Sequence, residues 1–123
     1  MRDLALSILQ HLAKAEAAVH GVLLDEVHFH EIADWDTLVD ATAVASLAVR
    51  AGVSSWTVGS LPRGSGLVRT AHGLLPVPAP ATQCLLSGFA WHDDGIGGER
   101  VTPTATATAP VGVGSPNSRT SSA

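Results

Sequence analysis

The chain has 123 residues, 46% of them hydrophobic and 15% charged, and a net charge of −4 at neutral pH. This length allows one small domain, and seven basic residues against eleven acidic ones leave no electrostatic footprint for nucleic acid. The single cysteine, Cys84, excludes an intramolecular disulfide framework and suits a reducing compartment. There is no apolar run of about 18 residues and no leader-like N-terminus, so a soluble, cytoplasmic protein without membrane contact is expected.

In residues 2–19, Leu4, Ile8, Leu12, Ala15 and Val19 recur at helical spacing and predict a first helix. His20 falls in its last turn and Gly21 closes it. His11 lies off the apolar stripe and is expected at the surface. Val27-His28-Phe29-His30 then alternates apolar and polar, so both histidines project to one side of a strand or extended loop. Asp34 or Asp36 can cap a second helix running to about Ala51, closed by Gly52. Leu38, Val39, Ala41, Val44, Ala45, Leu47, Ala48 and Val49 surround that helix with apolar groups, which predicts burial.

Ser55 to Gly59 alternates as a short strand, Leu61 to Gly66 interrupts it, and Leu67 to Ala71 resumes it before His72-Gly73. Leu74 to Pro80 holds Pro76, Pro78 and Pro80 and is expected to be an extended connector. Pro80 suits the first turn of a helix over Ala81–Ser87, and Phe89 to His92 suits one more strand before the turn Asp93-Asp94-Gly95. From about Pro103 the composition collapses into Ala, Thr, Ser, Gly and Pro without periodicity. The fold class expected is α/β or α+β: a single domain over 1–108 with two to three helices and a short sheet, followed by a disordered tail over 109–123.

The chemistry-bearing residues concentrate in the centre. His28 and His30 at i, i+2, with Glu31 and the later Asp36 and Asp40, form a donor set for a divalent metal. The same spacing also suits a solvated strand edge before an acidic helix start. Asp40 lies one turn after Asp36 on the same helix face, where a carboxylate among apolar groups is costly unless it meets a cation or donor. Arg63, Gly64, Ser65 and Gly66 offer backbone donors, a hydroxyl and a guanidinium suited to phosphate, and equally suit a glycine-rich hairpin. His72 can carry a proton or ligate, and Cys84 is expected to be buried and inert.

Taken together, Val27-His28-Phe29-His30-Glu31, Asp36, Asp40, Leu61-Pro62-Arg63-Gly64-Ser65-Gly66, the run Ala71 to Thr82 and Gly98 to Thr104 resemble the nickel insertion protein family over about residues 5–108. The resemblance implies insertion of nickel into pyridinium-3,5-bisthiocarboxylic acid mononucleotide, a nucleotide-like small molecule. The product is the nickel-pincer cofactor of lactate racemase, and the reaction depends on CTP with magnesium or manganese. It makes His28, His30 and Glu31 nickel-handling candidates, with Asp36 and Asp40 completing the site or holding a harder cation. Arg63, Gly64, Ser65 and Gly66 would hold the substrate phosphate, and His72 would accept the proton released on metallation. Members of the family are several times longer, with an N-terminal strand-loop segment and a C-terminal nucleotide-binding domain, so the chain is expected to be a fragment. Two alternatives to catalysis stand beside this: a metal-binding or carrier module, and a degenerate remnant. A homo-oligomer, or a partner chain supplying the missing domain, is also expected.

Overall fold

The computed structural model describes residues 1–27, 34–52, 57–70 and 73–109. In chain order these form α1 (Arg2–His20), a 3-10 turn at Leu24–Glu26, α2 (Trp35–Arg50), β1 (Leu61–Pro62), β2 (Leu67–Thr70), β3 (Gly73–Pro76), α3 (Pro80–Leu86), β4 (Trp91–His92) and α4 (Pro103–Thr108). The mixed α and β class is as expected. The short sheet, however, is two separate pairs: β1 runs parallel to β4, and β2 runs antiparallel to β3.

The helical layer is built on α1, which packs against α2, α3 and α4. Its stripe of Ile8, Leu12 and Ala15 is buried as the periodicity requires, while Val19 at its end is partly exposed. A second row, Ala13 and Ala17 with half-buried Leu9, is buried beside the first, because α1 has neighbours on more than one side. The main core cluster is Ile8, Leu12, Ala13, Ala17, Val27, Ala41 and Ala107. Only two of its members, Ile8 and Leu12, are large aliphatic chains, each contributing roughly 1.5–3 kcal/mol on burial. The alanines contribute little transfer energy but let the helix backbones approach closely.

Several expectations are corrected. The second helix is not buried all round: only Ala41, Ala45 and Ala48 are, while Trp35 (79% exposed), Val39, Leu47 and Val49 face water. Asp34 occupies its N-cap position without a side-chain capping bond, and Asp36 lies in its first turn. The described part of the strand expected over 55–59 has no regular structure, and the strand begins at Leu61 instead. The proline segment is extended but also paired, Leu67 opposite Pro76 and Thr70 opposite Gly73. Proline is tolerated there at the end of a hairpin strand. Cys84 is exposed, and His11 is half-buried with Nδ1 2.8 Å from the Ser7 carbonyl.

The largest correction is α4, where an aperiodic segment was expected. Thr102 is its N-cap, its hydroxyl accepting from the Ala105 amide at 3.2 Å, and Pro103 sits in the first turn. Thr106, whose hydroxyl donates to the Thr102 carbonyl at 2.9 Å, and Ala107 bury the helix against the others. Of the tail expected to be disordered over 109–123, Ala109 caps the end of α4 and residues 110–123 lie outside the described residues, as does Ala71 at the end of the second strand. None of the described helices is long and apolar enough to cross a membrane.

Replacement of Ile8, 1% exposed, by alanine is expected to cost about 2–5 kcal/mol. Leu47→Ala, at a position 67% exposed, is expected to change stability by no more than about 0.5 kcal/mol. Urea unfolding followed by circular dichroism checks both, and equal losses at the two positions would refute this account of the core.

Candidate functional site

The loop Arg63–Gly66 is where distant parts of the chain meet. It leaves β1, which is held to β4 by the Leu61 amide donating to the Ala90 carbonyl at 2.9 Å and the Arg63 amide to the His92 carbonyl at 2.8 Å. Ser65 pairs with Gly98, whose amide donates to the Ser65 carbonyl at 2.8 Å. The Gly66 carbonyl accepts from the Val77 amide at 2.9 Å. Three segments far apart in sequence, around Val77, Trp91–His92 and Gly98–Arg100, therefore converge on one loop.

Gly64 is the residue that this convergence requires to be glycine. It is buried, has φ +73°, and a Cβ there would meet the Gly98 carbonyl oxygen, with Arg100 Cγ at 3.0 Å and Val77 Cγ1 at 3.1 Å. A backbone atom cannot retreat as a flexible side chain can, so no side chain fits. Gly66 also has positive φ, +94°, but nothing lies within 4 Å of its notional Cβ. The loop is thus a rigid, packed element on its Gly64 side, while Arg63, Ser65 and Gly66 are exposed.

The Arg63 guanidinium lies over the Trp91 ring, 4.3 Å from its centroid. Beside this pair a cleft of about 280 Å³ opens between α3 and β4, with Gln83, Leu86, Ser87 and Phe89 in its wall. Gln83 Nε2 donates to the Pro78 carbonyl at 3.1 Å, which ties α3 to the proline segment. Reading the residues in order identified Arg63 but not its aromatic partner. Phe89 to His92 carried only an alternation signal, and nothing local in the sequence places Trp91 beside residue 63.

The second arginine near this loop, Arg100, is committed elsewhere. Its Nε and Nη2 each lie 2.9 Å from Asp94 Oδ2. Asp94 Oδ1 also accepts from the Ile96 amide at 3.1 Å, and Asp93 Oδ1 from the Gly95 amide at 2.8 Å. The Ile96 amide acts most strongly and, with Arg100, holds the Asp94 carboxyl below its ordinary value against the opposing effect of desolvation, which ranks second.

Asp36 and Asp40 are both exposed on α2, one turn apart, so water solvates them and the expected buried carboxylate is not found. Between them, Thr37 Oγ1 lies 3.4 Å from Thr104 Oγ1, joining the acidic turn of α2 to α4. His28, His30, Glu31 and His72 lie outside the described residues. Among the described residues, no group of three or more His, Cys, Asp or Glu side chains is placed to hold a metal ion.

The family model described as nickel insertion protein matches residues 1–115. The chain belongs to the nickel insertion protein family. Proteins carrying that name in Pelobacter propionicus and Geobacter sulfurreducens are 51% and 50% identical to it over 107 residues, 87% of this chain. A relative from Nocardioides sp. is 46% identical over 107 residues and is named pyridinium-3,5-bisthiocarboxylic acid mononucleotide nickel insertion protein. The chain spans about a quarter of the length of these relatives, 27–28% of each. No solved structure matches it.

Two outcomes check this geometry. Gly66→Ala should cost about 1–2 kcal/mol, the strain of a left-handed residue in open space, whereas Gly64→Ala adds a backbone collision and should cost more, read from the shift in melting temperature. The Asp94 carboxyl should titrate below 3.8, its ordinary value, so that its contribution to the 93–100 turn is complete above that pH and lost as pH falls through the lowered value. NMR titration of its side chain tests this. Arg100→Gln should raise the midpoint only part of the way, since the Ile96 amide acts most strongly.

Proposed function

We propose that this chain is the nickel- and substrate-handling part of an enzyme that inserts nickel into pyridinium-3,5-bisthiocarboxylic acid mononucleotide, yielding the nickel-pincer cofactor of lactate racemase. The family match over residues 1–115 carries this reading. The substrate is taken from the name of the Nocardioides relative. Nickel is cargo here. The His28 and His30 imidazoles, with the Glu31 carboxylate, present borderline nitrogen and hard oxygen donors of the kind that accept it. Asp36 and Asp40, exposed on adjacent turns of α2, complete that donor set or hold a harder cation. As the pyridinium carbon exchanges its proton for nickel, His72 takes up the proton, and the two thiocarboxylates contribute sulfur–nickel bonds.

The phosphate of the mononucleotide is assigned to Arg63 with Gly64, Ser65 and Gly66. In that arrangement Gly64 fixes the loop against the Gly98 carbonyl and Arg63 supplies the charge. CTP with magnesium or manganese is assigned to the part of the relatives that this chain does not span. A cytoplasmic location accords with the single cysteine.

A second reading is a metal-binding or carrier module that works with a further chain or a second copy, and the apolar face that α2 leaves exposed favours it. The exposed Trp35, Val39, Leu47 and Val49 of α2 are where such a partner would pack.

Calorimetric titration of the metal-free protein with nickel, beside a His28→Ala/His30→Ala double variant, tests the donor set. Micromolar or tighter binding that the variant loses is expected; binding that is absent, or unchanged in the variant, sinks the assignment. CTP-dependent formation of the nickel product then separates the enzyme from the carrier.

A further inference from the structure

Arg63 is held in an unusual way for a surface arginine. Its guanidinium carbon lies over the Trp91 ring, 4.3 Å from the centroid, and among the described residues it has no carboxylate partner, in contrast to Arg100 with Asp94. A cation–π contact does not use up the guanidinium N–H donors, whose fork geometry matches carboxylate or phosphate. Holding the group against an indole also removes part of the ordering cost of binding an anion.

The cleft beside it has a defined chemistry. Arg63 is the one charged side chain among the described residues of its wall, so the electrostatic preference is for an anion. Phe89, Leu86 and the open part of Trp91, itself 47% exposed, supply apolar and aromatic surface. Gln83, its amide nitrogen committed to the Pro78 carbonyl, and Ser87 supply polar groups. The volume of about 280 Å³ falls just below the range of small-molecule pockets, which begins near 300 Å³. That suits a single ring with one charged substituent rather than a dinucleotide.

We propose that the cleft between α3 and β4 binds a planar heteroaromatic ring bearing an anionic group, with Arg63 fixing the anion and Trp91 and Phe89 selecting for the ring. The inference rests on reading Arg63 as an anion-binding side chain, but not on nickel chemistry. It adds Trp91, Phe89, Gln83 and Ser87 as the residues that set ligand preference. Trp91 has two roles in it: it offers ring surface and it holds Arg63 in place.

The test is titration of the full chain with three probes: nicotinic acid mononucleotide, nicotinate and inorganic phosphate. Calorimetry reads binding to the wild type and to the Trp91→Leu, Arg63→Gln and Ser87→Phe variants, with circular dichroism reporting folding. Both ring-bearing anions should bind at least tenfold more tightly than phosphate. Trp91→Leu should abolish most of that preference, Arg63→Gln should weaken all three probes, and Ser87→Phe should block the ring-bearing ones by filling the cleft. The Ser87 variant, altered at an exposed helix end, keeps the test decisive if Trp91→Leu destabilises the fold. Binding of ring-bearing probes no tighter than phosphate, or unaffected by both cleft variants, overturns the proposal. Nickel binding lost in the histidine variant while the ring preference persists upholds the nickel reading and the cleft alike. Absence of nickel binding in the wild type, with the ring preference intact, removes only the nickel reading.

Discussion

The structure depends on α1 being flanked by three other helices across methyl groups. Ala13, Ala17, Ala41 and Ala107 belong to the same core cluster as Ile8 and Leu12, and each is buried nearly completely. Alanine has no side-chain rotamers to lose, so this packing carries a small entropic penalty. It also carries a small hydrophobic gain, because a methyl group removes little apolar area from water. Stability therefore rests heavily on the few larger side chains, and on α4 closing the layer with Thr106 and Ala107.

The second constraint is the close approach at Gly64. The Arg63–Gly66 loop is fixed from three directions: β4 through the Arg63 amide, the proline segment through Val77, and the 98–100 segment through the bridge of Ser65 with Gly98. This explains physically why segments so far apart in the chain form one recognisable set. Rigidity at the loop is also what a binding arginine needs, since a guanidinium on a wandering loop would lose affinity to ordering. The Thr37–Thr104 hydroxyl pair extends the same framework toward the acidic turn of α2, linking the two regions where chemistry is expected.

Much of this was legible in the residue order. The periodicity of Ile8, Leu12 and Ala15 located α1, Pro80 located the start of α3, and the glycine-rich break at residues 63–66 located the loop. The failures have separate physical causes, the first being that helical patterning cannot say how many neighbours a helix has. In α2 it counted Val39, Leu47 and Val49 as buried, whereas neighbours cover only the alanine face. In α4 a run of Thr and Ala had no apolar stripe to show, although Thr102 followed by Pro103 is a helix-start signature that could have found it. The Arg63–Trp91 pair depends on the parallel pairing of β1 with β4, a long-range contact that no local pattern encodes.

The placement of small groups inside and larger ones outside has a thermal consequence. The heat-capacity increment of unfolding comes mainly from newly hydrated apolar surface, and averages about 12–15 cal/mol/K per residue in globular proteins. Here Trp35, Val39, Leu47, Val49, Leu67 and Leu74 are already hydrated in the folded chain. The increment should therefore fall below that average, giving a stability curve that is broad and shallow in temperature. Covering the α2 face would steepen the curve as well as raise it.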